Sequence, residues 1–335
     1  MKILPLCLSL AWSLPLCAQV PSELFDVVRV VDGDTIHIER DGKLEKLRLL
    51  SVDTEEKISN FSGGSASKPA TVFGEECALW AQEFFARLAE DGKPARIGLA
   101  FPGGLEKRGG YGRLLCHVIL PDGRDFNLRL VELGKSPYFD KYGADEICHE
   151  AFVAAEESAR KQQLGIWNPA TNRPETPGAP AARRPYERLL PWWQARSDAI
   201  DAFRARNRDD PGHVIDAAWP ASLETGARTG AKDEEVEVFG EINRFFDEDD
   251  GDWTILFHTS DSERALRVRI AAEHRPAFAD LELERFKDKF RQNYVYVRGK
   301  LTESARGFTL RCKDPKAFRA GGPEPVMPVP AAVDR

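Results

Sequence analysis

Residues 30–56 read V-V-D-G-D-T-I-H-I-E-R-D-G-K-L-E-K-L-R-L-L-S-V-D-T-E-E and contain two strand-like segments with charged residues at their ends. Apolar and polar residues alternate over Val28–Ile38 and over Leu44–Val52, and the turn between them contains Asp-Gly. An Asp-Gly turn between two alternating segments predicts a β-hairpin. The hairpin would bring Asp34, near the head of one strand, close to Asp53 at the tail of the other.

The charged residues of this hairpin form a set suited to phosphate chemistry. Two carboxylates that converge repel each other unless a cation lies between them, so Asp34 and Asp53 indicate a metal site. Arg48 can donate hydrogen bonds to phosphate, and Glu56 adds a spare carboxylate. Together these groups are what the hydrolysis of a phosphodiester requires.

Further motifs occur in a fixed order along the chain. They are D-G-D-T (32–35), R-L-L-S-V-D-T-E-E (48–56), Y-G-R (111–113), D-G-R-D-F-N-L-R-L-V-E-L-G (122–134) and L-G-I-W (164–167). In their order and spacing, from Phe25 to about Trp167, the chain resembles the staphylococcal nuclease (thermonuclease) family. The ordered set is far more specific than D-G-D-T alone.

The resemblance implies an α+β fold with an OB-fold five-stranded barrel and three helices, over a nuclease domain of residues 22–168. The residue pattern agrees with this fold. Further strands are predicted at Ala95–Leu99 and Arg113–Leu120, and helices at about Phe73–Ala89, Asn127–Leu133 and Ala144–Gln163. The aromatic residues of the first helix recur at the helical period, so we interpret them as core rather than as a base-stacking face.

The resemblance also assigns the metal ligands. Asp34 and Asp53 would bind a hard divalent cation through carboxylate oxygens, and Thr54 through its carbonyl. A site with few protein ligands leaves room for waters and a phosphate oxygen, which favours Ca²⁺ or Mg²⁺ over zinc. The family resemblance points to Ca²⁺, with Mg²⁺ second.

The expected catalytic residues surround this cation. Glu56 would orient or deprotonate the attacking water, and the guanidinium groups of Arg48 and Arg113 would clamp the phosphorus. Tyr111 is placed to stack a base or to bond a phosphate. The predicted substrate-binding residues are Tyr111, Tyr142, Lys107 and Arg108.

Each of these residues could also have a simpler, structural role. Taken alone, Asp32 to Asp34 could form a turn, Arg48 a surface ion pair worth about 0–1 kcal/mol, Glu56 part of a solvated charged segment, and Arg113 a turn cap. Their joint occurrence in the family's order favours the functional interpretation. His117 lies on a predicted strand, where a core or ion-pair role is expected.

Four residues depart from the family pattern. Glu55 stands where the family usually has proline and adds a negative charge beside the metal site. Gly109-Gly110 replaces an Asp-Lys pair that often precedes Tyr-Gly-Arg, and Asp140 stands where a tyrosine is frequent. These changes concern the holding of substrate more than the reaction, and Lys107 or Arg108 could compensate.

The N-terminus predicts a secretory signal peptide over residues 1–18. Met1-Lys2 precedes the apolar segment Ile3–Leu16, which ends before Cys17-Ala18 and is too short for a membrane span. A lipoprotein signal with Cys17 is disfavoured because Leu16 is bulky. The expected location is secreted or periplasmic, with no membrane attachment after cleavage.

Composition sets further bounds. A length of 335 residues suggests two domains, and the net charge of −7 gives no general attraction to a polyanion. Nucleic-acid binding would therefore depend on local Arg, Lys and metal charge. An oxidising compartment permits disulfides, and the family fold loosely suggests a bridge between Cys77 and Cys116.

The second half is predicted to begin with a linker. Residues 169–185 are rich in proline and alanine, residues 186–232 form a helix (Pro191 to Arg206) and a loop connector, and residues 320–335 form a disordered tail. Between them, residues 233–319 contain five strand-like segments and a helix-like one at Ala277–Phe290, which suggest a second OB-like barrel. Of the adjacent Trp192 and Trp193, at least one is expected to dock onto a neighbouring domain.

The role of this second barrel stays open at this point. It could bind a single strand through aromatic and basic side chains, or it could be a packing or protein-binding domain, because aromatics alternating on a strand are core by default. The candidate binding residues are Phe257, Tyr294, Tyr296, Arg267, Arg269, Arg298 and Arg311.

The sequence as a whole predicts an exported, metal-dependent, monomeric nuclease with a C-terminal OB-like accessory domain, whose substrates are DNA and RNA. The resemblance implies hydrolysis that leaves 3′-phosphate and 5′-hydroxyl ends. One alternative is a non-catalytic nucleic-acid-binding or scaffold protein, which would be expected to have lost Arg48, Glu56 or Arg113. The other is a divalent-cation-binding protein, which would not need the two arginines.

Overall fold

The computed structural model describes residues 20–58, 68–171, 184–283 and 294–322. The predicted signal peptide, the glycine- and serine-rich loop Asn60–Ser67, most of the predicted linker and most of the predicted tail lie outside these residues. Within the described ranges, no helix is both long and apolar enough to cross a membrane.

Within the described residues, the first half contains eight strands and three α-helices. They are β1 (Phe25–Val30), β2 (Thr35–Arg40), β3 (Lys43–Leu49), β4 (Glu56–Lys57), β5 (Ala70–Thr71), α1 (Val72–Leu88), β6 (Arg96–Ala100), β7 (Lys107–Arg108), β8 (Leu114–Ile119), α2 (Phe126–Glu132) and α3 (His149–Lys161). Five strands close a barrel in the order β1-β2-β3-β8-β6, with β6 returning to β1. The pair β3 and β8 is parallel and the others are antiparallel. The predicted OB-type barrel with three helices is confirmed.

The β2–β3 hairpin forms because its turn and its alternation agree. Asp41 and Gly42 both have positive φ (52° and 70°), the conformation of a tight turn whose twist matches the strands. Ile36 and Ile38 on β2, with Leu47 on β3, are fully buried in the barrel core. The intervening polar residues point outward, as period-two alternation requires.

Helix α1 is fixed at its start by Thr71, whose hydroxyl accepts the Gly74 N–H at 2.9 Å. Its inner face, with Cys77 and Phe85, packs into the barrel core, as predicted. The suggested Cys77–Cys116 bridge is wrong, because both thiols are free. The Cys77 sulfur instead faces the Lys135 carbonyl at 3.8 Å.

Helix α3 begins later than predicted, at His149 rather than near Ala144. The Asp145 carboxylate accepts the N–H groups of Ile147 and Cys148 at 2.9 and 2.6 Å. This side-chain bonding holds the preceding segment in a turn that competes with the helix.

The described part of the second half adds two α-helices and eight strands. They are α4 (Tyr186–Asp209), β9 (Val214–Asp216), α5 (Pro220–Gly230), β10 (Val236–Asp247), β11 (Trp253–Phe257), β12 (Leu266–Ile270), β13 (Tyr294–Gly299), β14 (Leu301–Ser304), β15 (Gly307–Arg311) and β16 (Phe318–Ala320). The predicted fourth strand is divided at Lys300 into β13 and β14. The predicted tail starts too early, because Ala320 ends β16. The described part of the helix-like segment at Ala277 belongs to a 3-10 helix, Ala272–Leu281.

The second sheet repeats the strand order of the first barrel. Pairings run β10-β11-β12-β15-β14, and β14 continues β13, which pairs back with β10. Strands β12 and β15 are parallel, like β3 and β8. A second OB-like domain is therefore present.

The predicted connector loop is wrong in part, because it contains β9 and α5. Strand β9 pairs parallel to β10, and Leu223 of α5 is fully buried in the second core. Gly226 and Gly230, typical of a loop by composition, are where α5 touches its neighbours. A Cβ at Gly230 would lie 2.1 Å from the Leu301 carbonyl oxygen, and one at Gly226 would lie 2.9 Å from the Ile215 side chain.

Helix α4 lies between the two barrels and contacts both. It is longer than the predicted Pro191–Arg206 helix. Trp193 packs edge-on against Phe139 of the first half at 4.7 Å, which confirms that a tryptophan docks onto the neighbouring domain. Phe203 stacks on Phe239 of β10 at 4.6 Å. The buried Arg196 donates to the Tyr294 hydroxyl at 2.6 Å.

The aromatic candidates of the second barrel do not form an exposed stacking surface. Phe257, Tyr294 and Tyr296 are buried, the last two beneath α4. The basic candidates make local contacts: Arg269 pairs with Asp252 at 3.0 Å and Arg298 with Glu235 at 2.9 Å. A strand-binding role for the aromatic residues is therefore wrong, because they pack.

A buried ionic network ties β8 to the turn before α3. His117 Nδ1 lies 2.6 Å from Asp125, and its Nε2 lies 2.9 Å from Asp145. Although burial opposes protonation, the bonds and charges of Asp125 and Asp145 raise the pKa of His117 to about 10. Asp145 also accepts the Ser51 hydroxyl. The expected ion-pair role of His117 is confirmed.

This network predicts a loss of stability at high pH. The ordinary pKa of histidine, 6.5, is raised in the folded protein. The folded state therefore binds the proton more tightly than the unfolded state. The stabilisation is fully present below pH 6.5 and is lost as the pH rises to about 10, at up to about 1.4 kcal/mol per pH unit. Urea unfolding of the wild type and of His117→Gln between pH 6 and 10 tests this. A wild-type curve as flat as that of the variant would contradict it.

The packing of α4 predicts a large cost for removing its buried ring. Trp193 is 1% exposed and lies in a cluster with Phe73 and Ile166 of the first half. Trp193→Ala should lower the free energy of unfolding by about 3–5 kcal/mol. Phe246→Ala, at a 42% exposed aromatic on β10, should change it by less than about 0.5 kcal/mol. Chemical denaturation of both variants makes the comparison, and equal losses would contradict it.

Candidate active site

The centre of the site is the guanidinium of Arg48, which bridges two buried carboxylates. Its Nη1 pairs with Asp34 Oδ1, and its Nη2 lies 2.6 Å from Asp53 Oδ1. Nη2 also donates to the Val52 carbonyl at 3.3 Å. Asp34 and Asp53 are 3% and 4% exposed, so the hairpin does bring both acids to one point.

The hairpin register positions these groups. Thr35, which follows Asp34, pairs directly with Arg48 across the two strands. Thr54 then closes the site, because its N–H donates to Asp34 Oδ2 at 2.9 Å and its hydroxyl lies 3.2 Å from the same oxygen. Asp32 accepts the Asp34 N–H at 3.2 Å and shapes the turn.

Glu56 lies at the open edge of this cluster. It belongs to β4, which pairs with β5 just before α1. A Cβ added at Gly74 would lie only 2.2 Å from the Glu56 carbonyl oxygen. That close approach fixes the backbone at Glu56 against the start of α1. Lys68 joins the edge to the centre, because its ammonium lies 2.6 Å from Glu56 and 2.9 Å from Asp53.

A second arginine, Arg184 near the end of the predicted linker, reaches the site. Arg184 Nη1 donates to Asp53 Oδ2 at 2.8 Å and to the Asp53 carbonyl at 3.1 Å. The Arg184 N–H donates to Glu55 Oε1 at 3.2 Å, and the Thr71 hydroxyl donates to Glu55 Oε2 at 2.5 Å. Glu55 is thereby bonded at both oxygens in a buried position.

The surrounding cations determine the charge of the acids. Burial opposes ionisation of Asp53, but Arg184, Lys68 and Arg48, in decreasing order, hold its pKa well below the ordinary value. Burial likewise opposes ionisation of Asp34, and Arg48 and Lys68 lower its pKa. Asp34 and Asp53 are therefore both ionised at neutral pH.

The outer acids behave differently. Burial, followed by the charge of Asp34, raises the pKa of Asp32 to about 7. Burial also raises the pKa of Glu55, in spite of its bonds to Thr71 and Arg184. Burial thus disfavours the charged forms of Asp32 and Glu55, whereas the surrounding cations favour the charged forms of Asp34 and Asp53.

Tyr111 and Arg113 lie just before β8, the strand that pairs with β3. Arg113 precedes β8, in which Leu115 is the register partner of Arg48. Its guanidinium lies 5.8 Å from the centre of the Tyr111 ring, and Tyr111 is 90% exposed. Among the described residues, no hydrogen bond or ion pair joins Arg113 to Asp34 or Asp53, so its approach to phosphate stays a prediction.

The other predicted substrate contacts have local partners. Arg108 makes a bidentate pair with Glu45 at 2.8 and 2.7 Å, which holds the turn. Lys107 lies 5.3 Å from the ring of Trp219 in the second half. Tyr142 is 60% exposed, and its carbonyl accepts a bond from Arg204 of α4.

The donor set fits a hard divalent cation that keeps several waters. Among the described residues, no group of three or more His, Cys, Asp or Glu side chains is arranged to hold a metal ion. Asp34 and Asp53 are nevertheless ionised oxygen donors that meet at one guanidinium, and Thr54 lies against them. Such a site suits Ca²⁺ or Mg²⁺, which accept few protein ligands and retain water.

Sequence reasoning missed two cations of the site. Lys68 follows a glycine- and serine-rich segment, and Arg184 lies within the predicted linker. Neither belongs to a recurring motif. The available signal for Arg184 was Glu55, because a further acid beside two buried carboxylates requires a compensating cation.

Comparison with known proteins matches the sequence of the first half of the chain to a family. A family model described as staphylococcal nuclease homologue matches residues 46–169. A thermonuclease of Staphylococcus intermedius is 32% identical over 153 residues, covering 44% of this chain and 78% of that protein. An uncharacterized endonuclease of Escherichia coli O157:H7 is 28% identical over 170 residues, covering 50% of this chain and 91% of that protein.

A third relative is much longer than the matched region. Endonuclease YhcR of Bacillus subtilis (strain 168) is 33% identical over 144 residues, which are 42% of this chain and 11% of that protein. The family match ends before Arg184, so α4 and the second barrel lie outside it. Within its first half, the chain belongs to the staphylococcal nuclease family and is a nuclease.

Proposed function

We propose that this nuclease is exported and metal-dependent and hydrolyses phosphodiester bonds of both DNA and RNA. The observation that carries the proposal is the Arg48 guanidinium between the ionised Asp34 and Asp53. The two carboxylates offer oxygen ligands to a divalent cation, and Arg48 offers planar donors to phosphate oxygens. Asp34, Asp53 and the Thr54 carbonyl would hold the cation, Ca²⁺ rather than Mg²⁺ by family resemblance.

The bound cation would act as a Lewis acid on the phosphate. The remaining steps belong to the protein. Arg48 already directs two of its N–H groups to carboxylates and keeps others for phosphate oxygens. Arg113, at the head of the neighbouring strand, would donate to the same phosphate from another side. Charge that develops on the phosphate oxygens would then be met by two fixed guanidinium groups.

Glu56 is the proposed general base. It lies on the open side of the cluster, where its side chain is 36% exposed and water has access. Its carboxylate lies 2.6 Å from the Lys68 ammonium, and a general base must lie within hydrogen-bond reach of the water that it activates. Lys68, which also touches Asp53, would orient Glu56 relative to the metal ligands.

Substrate binding would use the exposed residues beside the site. Tyr111 offers an aromatic face to a base or a hydroxyl to a phosphate, and stacking of this kind tolerates any base. This tolerance supports cleavage without a base preference, and family resemblance implies action on both DNA and RNA with 3′-phosphate and 5′-hydroxyl products. Tyr142 and Lys107 would extend the contact. Arg108 is less suited, because Glu45 occupies its guanidinium.

Removing single site residues should abolish cleavage. Glu56→Gln cannot accept a proton, and Arg48→Lys loses the planar fork, for which we expect a loss in rate on the order of 10³-fold or more. The measurement is cleavage of plasmid DNA and of single-stranded RNA with Ca²⁺, with Mg²⁺ or with chelator. The wild type should lose activity in chelator.

Matched controls are available on the neighbouring strand. Arg40→Lys and Glu39→Gln alter the same residue types on β2, away from the acid cluster, and should retain activity. Undiminished cleavage by Glu56→Gln would reject its role as base. Cleavage that survives chelator would reject metal dependence.

Export rests on the N-terminal sequence alone. Expression of the full chain in a bacterium, followed by N-terminal sequencing of the secreted or periplasmic protein, should give a start just after Ala18. Replacing two apolar residues of the leader, Leu8→Arg and Leu10→Arg, should retain the protein in the cytoplasm. Export of that variant at the wild-type level would contradict the proposal.

A further inference from the structure

We infer that Arg184 is a positioning residue for Asp53, so that the second half of the chain completes the cation site of the first. The inference rests on the proposed metal-dependent function and extends it. Arg184 lies 131 positions after Asp53 and outside the family match. It is nevertheless buried in the site at 4% exposure.

The contacts of Arg184 hold Asp53 at two atoms. Nη1 bonds Oδ2 of the carboxylate at 2.8 Å and the carbonyl of the same residue at 3.1 Å. The other carboxylate oxygen, Oδ1, faces Arg48 and Lys68. Arg184 therefore fixes both the side-chain rotation of Asp53 and the oxygen that it presents to the site.

Glu55 anchors the backbone that carries this guanidinium. One of its oxygens accepts the Arg184 N–H and the other accepts the Thr71 hydroxyl. Thr71 is also the residue that caps α1. The acid that departs from the family pattern thus joins the Arg184 segment to the first barrel, and Arg184 balances its charge.

Aromatic rings enclose the other side of the guanidinium. It lies 5.3 Å from the ring centre of Trp193 and 5.8 Å from that of Tyr186. Both residues belong to α4, whose Arg196 bonds Glu241 and Tyr294 of the second barrel. Packing against α4 therefore helps to orient Arg184. Helix α4 is itself held in place by its contacts with both barrels.

The direction of the effect follows from the position of the contact. A hydrogen bond to the second oxygen of a ligating carboxylate orients the ligand, and loss of such an outer partner typically weakens metal affinity 10- to 100-fold. We therefore expect Arg184→Met, which keeps a long apolar side chain but no donor, to bind Ca²⁺ about 10- to 100-fold more weakly. Arg184→Lys keeps one donor and the charge, and should recover part of this loss.

The experiment is calorimetric titration of Ca²⁺ into the full-length wild type, Arg184→Met and Arg184→Lys, without nucleic acid. Arg204→Met is the matched control. Arg204 also joins α4 to the first half, through the carbonyls of Ala144 and Tyr142. In the described part of the chain it forms no hydrogen bond or ion pair with Asp53 or Glu55. It should keep the wild-type affinity, which separates positioning from simple loosening of α4. Circular dichroism would verify that each variant is folded.

The outcomes separate this inference from the proposed function. Wild-type affinity in Arg184→Met overturns the positioning role, and tighter binding overturns it in favour of a contact that competes with the cation. Equal weakening in Arg204→Met also overturns it, because the effect would then belong to α4 as a whole. A wild type that binds no divalent cation removes the metal-dependent function and this inference with it.

Discussion

Two buried carboxylates at one point of a folded chain are the constraint on which this site depends. When two acids are buried side by side, ionisation of both is strongly disfavoured. Arg48 resolves the conflict because its fork gives one amino group to each acid. The register of the β2–β3 hairpin places Arg48 beside Asp34, and a slip of one residue would turn the arginine toward the core. The packing of Ile36 and Leu47 thus protects the chemistry as well as the barrel.

The site is balanced by the protein's own cations in the arrangement described here. Arg48, Lys68 and Arg184 all contact Asp53, and Arg48 also contacts Asp34. A divalent cation that bound these acids would therefore enter a site that the protein's own cations already neutralise. Breaking a buried pair by deletion of one partner typically costs about 3–5 kcal/mol, so these contacts serve the stability of the fold too.

The parts that sequence predicted were those with a local cause. Asp41-Gly42 and the flanking alternation specify the hairpin, and the ordered motifs specify the first barrel. The parts that it missed depend on distant packing. Helix α5 was obscured because Gly226 and Gly230 are typical of loops, yet they serve close approach to the second sheet. Arg184 carries no local signal, since its partner Asp53 lies far away in the chain.

The alternation of residue types along a strand also does not predict which element packs on each of its faces. Tyr294 and Tyr296 fit an open stacking surface by their spacing, but α4 covers them and Arg196 bonds the Tyr294 hydroxyl. Even the correct prediction of a second OB-like barrel therefore left its ligand face undetermined.

The burial of that face under α4 has a thermodynamic consequence. Any ligand that stacked on Tyr294 or Tyr296 would first have to lift the helix whose N-terminal end carries Arg184 to Asp53. Binding of a ligand to the second barrel would then oppose the ordered arrangement of Arg184 and the two acids, Asp34 and Asp53. By reciprocity, a cation held by the ordered cluster would oppose that ligand by the same free energy.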